Sequence, residues 1–229
     1  MNHPMHAMYG GTVLDAAARN KVLRNTYALL AVSLIPTVLG AWVGVSTGVI
    51  ASLGMGMSLI LFLGISFGFM WAIEKNKNSA SGVYLLLGFT FFMGLMLSRL
   101  VGQVLGLSNG GKLIGVAFAG TAAVFAAMAM LATVVKRDLS SMGKFLTVGA
   151  VILLVAVVAN IFLQSSALML TIIVAMLGLF SAFLLYDLKR IMDGGETNYV
   201  SATLAVYLDL YNIFQSLLSL LGIFGGERD

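Results

Sequence analysis

Cysteine is absent from the 229-residue sequence, so neither a disulfide framework nor a thiolate metal site is available to it. Charge is scarce as well: 13 Lys plus Arg and 9 Asp plus Glu make up only 10% of the chain. Soluble domains carry about 25% charged residues because their surface must face water. Here 60% of the residues are hydrophobic and the mean hydropathy is +1.01, so most of the folded surface must face lipid. These shortages exclude a cytosolic enzyme, a nucleic-acid-binding domain, a disordered chain and a secreted disulfide scaffold. The pI of 9.4 does not point to nucleic acid as a partner. The net charge of +4 is spread in small clusters between apolar runs, as orientation in a bilayer requires. The only histidines, His3 and His6, lie in the N-terminal tail and read as inert. No serine–histidine pair, zinc-ligand spacing or phosphate-cradling glycine loop is present.

What the chain does have is apolar runs long enough to cross ~30 Å of hydrocarbon as helix, which takes ~20 residues each. Seven are expected: Asn25–Ser46, Val49–Ile73, Gly82–Leu105, Lys112–Val135, Phe145–Leu163, Ala167–Met192 and Tyr199–Phe224. Their joints carry polar or breaker residues, such as Glu74-Lys75-Asn76-Lys77-Asn78, Lys136-Arg137-Asp138 and Asp193-Gly194-Gly195-Glu196. Joints this short leave room for one helical bundle and no separate soluble domain. The expected organisation is an N-terminal tail (1–24), a seven-span membrane domain (25–224) and a short C-terminal tail (225–229). The first run is too long for a signal peptide, lacks a small-residue cleavage site and precedes six more spans, so it is read as a permanent helix.

Positive charge then sets the orientation, since Lys and Arg beside the spans stay cytoplasmic. Arg19, Lys21, Arg24, Lys75, Lys77, Lys136, Arg137, Lys144, Lys189 and Arg190 all fall on one side. Only Lys112 and Arg228 fall on the other, with Arg99 inside the third run near that end. The N-terminus is therefore expected inside and the C-terminus outside. Within the spans, Gly40-xxx-Gly44 and Gly64-xxx-Gly68 have the spacing that lets helix backbones approach closely in lipid. Pro36, midway along the first run, is expected to kink it.

Seven of the nine acids lie in tails or loops, where water solvates them. Asp187 and Asp209 do not: they stand inside the sixth and seventh runs, in Leu185-Tyr186-Asp187-Leu188 and Tyr207-Leu208-Asp209-Leu210. An ionisable group inside a span costs at least ~2.5–3.5 kcal/mol, so it is expected to face a partner or a water-filled cavity. The two runs are antiparallel across a short loop, which brings the carboxyl groups to similar depths. Asp209, Asn212, Ser216 and Ser219 follow each other at helical spacing and form a polar stripe turned inward. That stripe serves either as a pore lining or as interhelical hydrogen bonding, and Asn160 in the fifth run is a similar case. Arg99 and Gln103 could line an outer vestibule, or Arg99 could snorkel to the interface.

Two carboxyl groups at low dielectric cannot both ionise cheaply, so they titrate as a unit that shares a proton. Such a pair could latch the last two helices together; without its proton, two repelling charges would part them or recruit a cation such as Ca²⁺, which prefers oxygen ligands. Intramembrane aspartyl proteases also place two Asp on neighbouring spans, one of them after Tyr, as in Tyr186-Asp187. The Gly-x-Gly those proteases show before the second Asp is missing before Asp209, so an enzyme is not expected.

The run Lys189-Arg190-Ile191-Met192-Asp193-Gly194-Gly195-Glu196-Thr197-Asn198-Tyr199, with Tyr211-Asn212-Ile213-Phe214 beyond it, closely resembles the bacterial YccA-like branch of the Bax inhibitor-1 family. Lys21-Val22-Leu23-Arg24-Asn25-Thr26-Tyr27, Lys136-Arg137-Asp138-Leu139-Ser140 and Ala159-Asn160-Ile161-Phe162-Leu163-Gln164 extend the resemblance over essentially the whole chain. The resemblance implies an all-α integral membrane bundle, six helices around a central seventh, in a bacterial inner membrane. It also implies two themes. One is a pH-sensitive Ca²⁺ leak governed by a di-aspartyl sensor, onto which Asp187 and Asp209 map. The other is modulation of the membrane-anchored ATP-dependent protease FtsH as a partner, through the N-terminal tail; the alternative to a leak is such an interacting modulator with no transport. Two departures stand out. The protein that gives the branch its name lacks the paired aspartates, whereas this chain has both. The channel-like members place an Arg near the cytoplasmic end of the second span, where this chain reads Glu74-Lys75-Asn76-Lys77, so only a lysine could substitute there.

Overall fold

The computed structural model describes residues 5–226, with side chains from residue 16 onward except at 55 and 140. His3, Glu227, Arg228 and Asp229, and the side chains of His6 and Asp15, lie outside the described residues. All seven apolar runs are helices: α1 (Met5–Thr47), α2 (Met55–Asn76), α3 (Ala80–Leu105), α4 (Gly110–Val134), α5 (Ser140–Leu163), α6 (Ser166–Met192) and α7 (Tyr199–Phe224). Each contains a stretch long and apolar enough to cross a membrane, and there is no strand among the described residues.

Several ends differ from the hydropathy boundaries, because hydropathy marks where lipid contact ends and not where backbone hydrogen bonding ends. α1 is continuous across residue 25 and begins at Met5, and α5 begins at Ser140, which takes Lys144 into its first turns. α2 starts later than expected, at Met55, because residues 48–54 form turns. Gly48 opens them with φ +66°, a left-handed conformation that L side chains rarely adopt. Pro36 does not end α1. On either side of it, Ser33 Oγ donates to the Leu29 carbonyl (2.8 Å) and Thr37 Oγ1 to the Ser33 carbonyl (2.9 Å), keeping these hydroxyls satisfied in the interior.

α7 occupies the centre, packing against α1, α2, α3, α4 and α6, while α5 packs on α6. Lipid tails are as apolar as leucine, so close backbone approach rather than hydrophobic expulsion holds such helices together. The α1–α3 seam illustrates this. A Cβ on Gly40 would collide with the Phe91 carbonyl, one on Gly44 with the Ser98 side chain, and one on Gly94 with the Thr37 carbonyl. Gly64 and Gly68 share the spacing but not the role: no atom lies within 4 Å of a Cβ built there, and both face outward from α2. The interior is filled by Leu86, Phe89, Leu184, Leu188, Val206 and Ile213, each at 0% exposure. Outward side chains such as Trp71, Phe145 and Phe162 are the apolar surface that lipid must cover.

Candidate functional site

The α6–α7 corner builds the site. α6 stops at Asp193 and Gly194, whose φ of +81° lets the Gly195 N–H reach back to the Arg190 carbonyl (2.8 Å). Residues 193–198 then reverse the chain, and Asn198 caps α7 by accepting from the Val200 and Ser201 N–H groups at 2.9 and 3.2 Å. Asp187 and Asp209 thereby lie on facing sides of antiparallel helices, and the structure brings their carboxyl groups within hydrogen-bonding reach of each other. Ionised carboxylates only accept, so a hydrogen bond between the two requires that one keep its proton.

The surroundings are dry on the α7 side. Asp209 is 3% exposed, its Oδ2 has no partner, and Val206 and Ile213, one turn to either side, are fully buried. Asp187 is partly buried between Leu184 and Ile191. The charged groups whose fields reach it are Arg190 and Glu196. Arg190 donates from Nη2 to Glu196 Oε2 (3.3 Å) and from Nε to the Gly195 carbonyl (3.4 Å). Lys189 is occupied by Asp193 at 2.8 Å.

The lysines of the α2–α3 joint do not take the place of the missing arginine. Lys77 pairs with Glu74, whose hydrogen bond holds the ammonium above its usual range, and Lys75 sits over the Trp71 ring, 5.0 Å from its centroid. The guanidinium whose charge reaches Asp187 is that of Arg190, one turn beyond it on the same helix. The three-residue spacing was the signal for it. The same joint is tied to α7: Asn198 Nδ2 donates to the Lys77 carbonyl (3.1 Å) and to Asn78 Oδ1 (2.8 Å), and Ser201 Oγ donates to Glu74 Oε2 (3.0 Å).

The polar stripe continues from Asp209 along α7. Ser216 is buried, and Asn212 and Ser219 are half-buried. Asn212 Nδ2 donates to the Leu208 carbonyl (2.8 Å) and Ser219 Oγ to that of Gln215 (2.7 Å), so both bond to their own helix. Asn160 stands apart from the stripe, at the end of α5, where its Oδ1 accepts from the Ser165 N–H at 3.1 Å. Arg99 donates to the Leu53 carbonyl (3.4 Å), fastening the α1–α2 connection, and Gln103 is exposed. Sequence reasoning missed Tyr207, whose hydroxyl shares a 2.9 Å hydrogen bond with Thr37, and Tyr211, which donates to the Met93 carbonyl (3.2 Å). Two tyrosines at i and i+4 inside a span were the available sign.

The sequence model of the family described as "Inhibitor of apoptosis-promoting Bax1" matches residues 19–226. An uncharacterised protein of Neisseria meningitidis serogroup B is 41% identical over 225 residues, covering 97% of this chain and 99% of that protein. The protein named "Modulator of FtsH protease YccA" in Escherichia coli K12 is 38% identical over 203 residues, covering 89% of this chain and 90% of its own. An uncharacterised protein of Pseudomonas aeruginosa is 37% identical over 212 residues, with 90% of each chain covered.

Proposed function

The chain belongs to the Bax inhibitor-1 family, and from that premise we propose that it is a membrane regulator with two linked activities: modulation of an FtsH-type protease, and a pH-sensitive Ca²⁺ leak governed by Asp187 and Asp209. The protease theme rests on similarity to the named modulator from Escherichia coli. The leak rests on one observation of this chain: two carboxyl groups paired inside the bundle, one with an oxygen left without a partner. A helix clasp needs no such group, because apolar residues would pack there at less cost. With one proton the pair joins α6 to α7. Without it, two like charges face each other across the seam, and the system relaxes by parting the helices or by admitting a cation.

A hard divalent ion takes six to eight oxygens. Among the described residues no three His, Asp or Glu gather, so the pair suits an ion in passage better than a resident one. The protein works in a bacterial inner membrane with its N-terminus inside, as the bias of Lys and Arg requires. No step of this reading is catalytic. Purified protein in liposomes is expected to pass Ca²⁺ at a rate that changes between about pH 6 and 8. Asp187→Asn and Asp209→Asn should each abolish that change. Absence of flux from folded protein would leave the interacting modulator as the function and the aspartate pair as a clasp.

A further inference from the structure

A large cavity lies away from the aspartates, on the other side of α7. It is a groove of about 970 Å³ between α1 and α4, floored by α7 and the last turns of α3. Val38 and Trp42 form one wall, Ile114, Gly115 and Phe118 the other, and Phe214 part of the floor. Four of its hydroxyls are already engaged, Thr37 with Tyr207, Thr121 with the Ala117 carbonyl and Tyr211 with the Met93 carbonyl, while Tyr27 stands at the far end, its ring edge-on to Phe125. Between Gly111 and Thr121 the groove therefore presents an apolar surface, and the Tyr27 hydroxyl lies at the end away from Gly111. Every lining residue belongs to a membrane-spanning helix or to the residues bounding one, and Trp42 and Phe118 are 67% and 58% exposed at its edges. What fills it must come from the bilayer side.

Size and charge select the occupant. The α4 wall runs from Gly111 to Phe125, about 21 Å at 1.5 Å per residue. An α-helix with its side chains is ~10–12 Å across. An extended hydrocarbon chain is thinner and fits. At the end where Gly111 opens the groove stands exposed Lys112, one turn before Gly115, and Trp42 is a residue type enriched where lipid headgroups begin. We propose that the α1–α4 groove is a phospholipid site, taking one acyl chain along α4 with the headgroup phosphate at Lys112. The chain would fill the space between α1 and α4 and lie against the face of α7 that carries Tyr207 and Tyr211.

The test is native mass spectrometry of the full chain in detergent, incubated with phosphatidylglycerol or with diacylglycerol bearing the same chains. The native protein should retain one phosphatidylglycerol per chain, and at least fivefold less diacylglycerol. Gly115→Leu should cut that retention at least fivefold without lowering the melting temperature. No atom lies within 4 Å of a Cβ at Gly115, so the new side chain enters the groove without a clash and favours helix. Lys112→Gln should weaken phosphatidylglycerol retention to the level of diacylglycerol. Equal retention by Gly115→Leu and the native chain would place the lipid elsewhere on the apolar belt and overturn the site. A lipid-free species at twice the chain mass, lost in Gly115→Leu, would overturn it in favour of a second copy.

Discussion

Asn198 holds four groups with one side chain: its oxygen caps two N–H groups of α7, and its amide nitrogen donates to the Lys77 carbonyl and to Asn78. The cap and the tie are separable by substitution. Asn198→Ala removes both and should lower stability by about 1–3 kcal/mol, from the typical costs of a lost cap and of a carbonyl left without its donor. Asn198→Asp keeps the cap acceptor and loses the donor, so its melting temperature in detergent should fall between native and Ala. Equal values for the two variants would mean that the tie to the α2–α3 joint contributes nothing. Asp187 and Asp209 obey the same residue-level logic. Their types, inside apolar runs, marked them in the sequence as groups needing a partner. That each is the other's partner depended on where two helices cross.

At the scale of elements, one spacing has two outcomes. Gly40 and Gly44 lie in the α1–α3 seam opposite Gly94, whereas Gly64 and Gly68 face outward from α2. Gly94→Ala puts a methyl group into the Thr37 carbonyl and should destabilise by about 2 kcal/mol or more, since overpacking between backbones outweighs the ~1 kcal/mol gain in helix propensity. It should also disturb the Thr37–Tyr207 hydrogen bond. Gly64→Ala and Gly68→Ala meet open space and should be neutral or slightly stabilising. Thermal unfolding of the three variants in one detergent tests the contrast; equal losses at Gly64 and Gly94 would contradict this packing. The helices themselves were legible in the sequence, α7 to both its ends, because length and apolarity are local properties. The start of α2 was less so, since turn-forming residues after Gly48 are nearly as apolar as the helix they precede.

At the scale of the whole molecule, ten of the thirteen Lys and Arg lie on the side of the bundle that carries the α2–α3, α4–α5 and α6–α7 joints, or on the α1 segment leading into it. The absence of cysteine makes orientation directly measurable with single-cysteine variants. Lys112 and Lys136 are both exposed, at opposite ends of α4. In intact cells an impermeant maleimide should label Lys112→Cys and should label Lys136→Cys only after permeabilisation. The reverse pattern would invert the proposed topology and place the mouth of the lipid groove on the cytoplasmic face.

The sequence by itself determined the class of molecule, the number of spans, the charge asymmetry and the two acids that cannot face lipid. Those follow from hydropathy and charge, which are read along one dimension. The tertiary structure decided which faces meet: that Asp187 reaches Asp209, that the joint lysines engage Glu74 and Trp71 instead, that Gly94 answers Gly40 and Gly44, and that α1 and α4 leave a groove. The reason is physical. In lipid the outside of a helix is as apolar as its packed side, so hydropathy cannot set its rotation; only close backbone contact and the pairing of buried polar groups do.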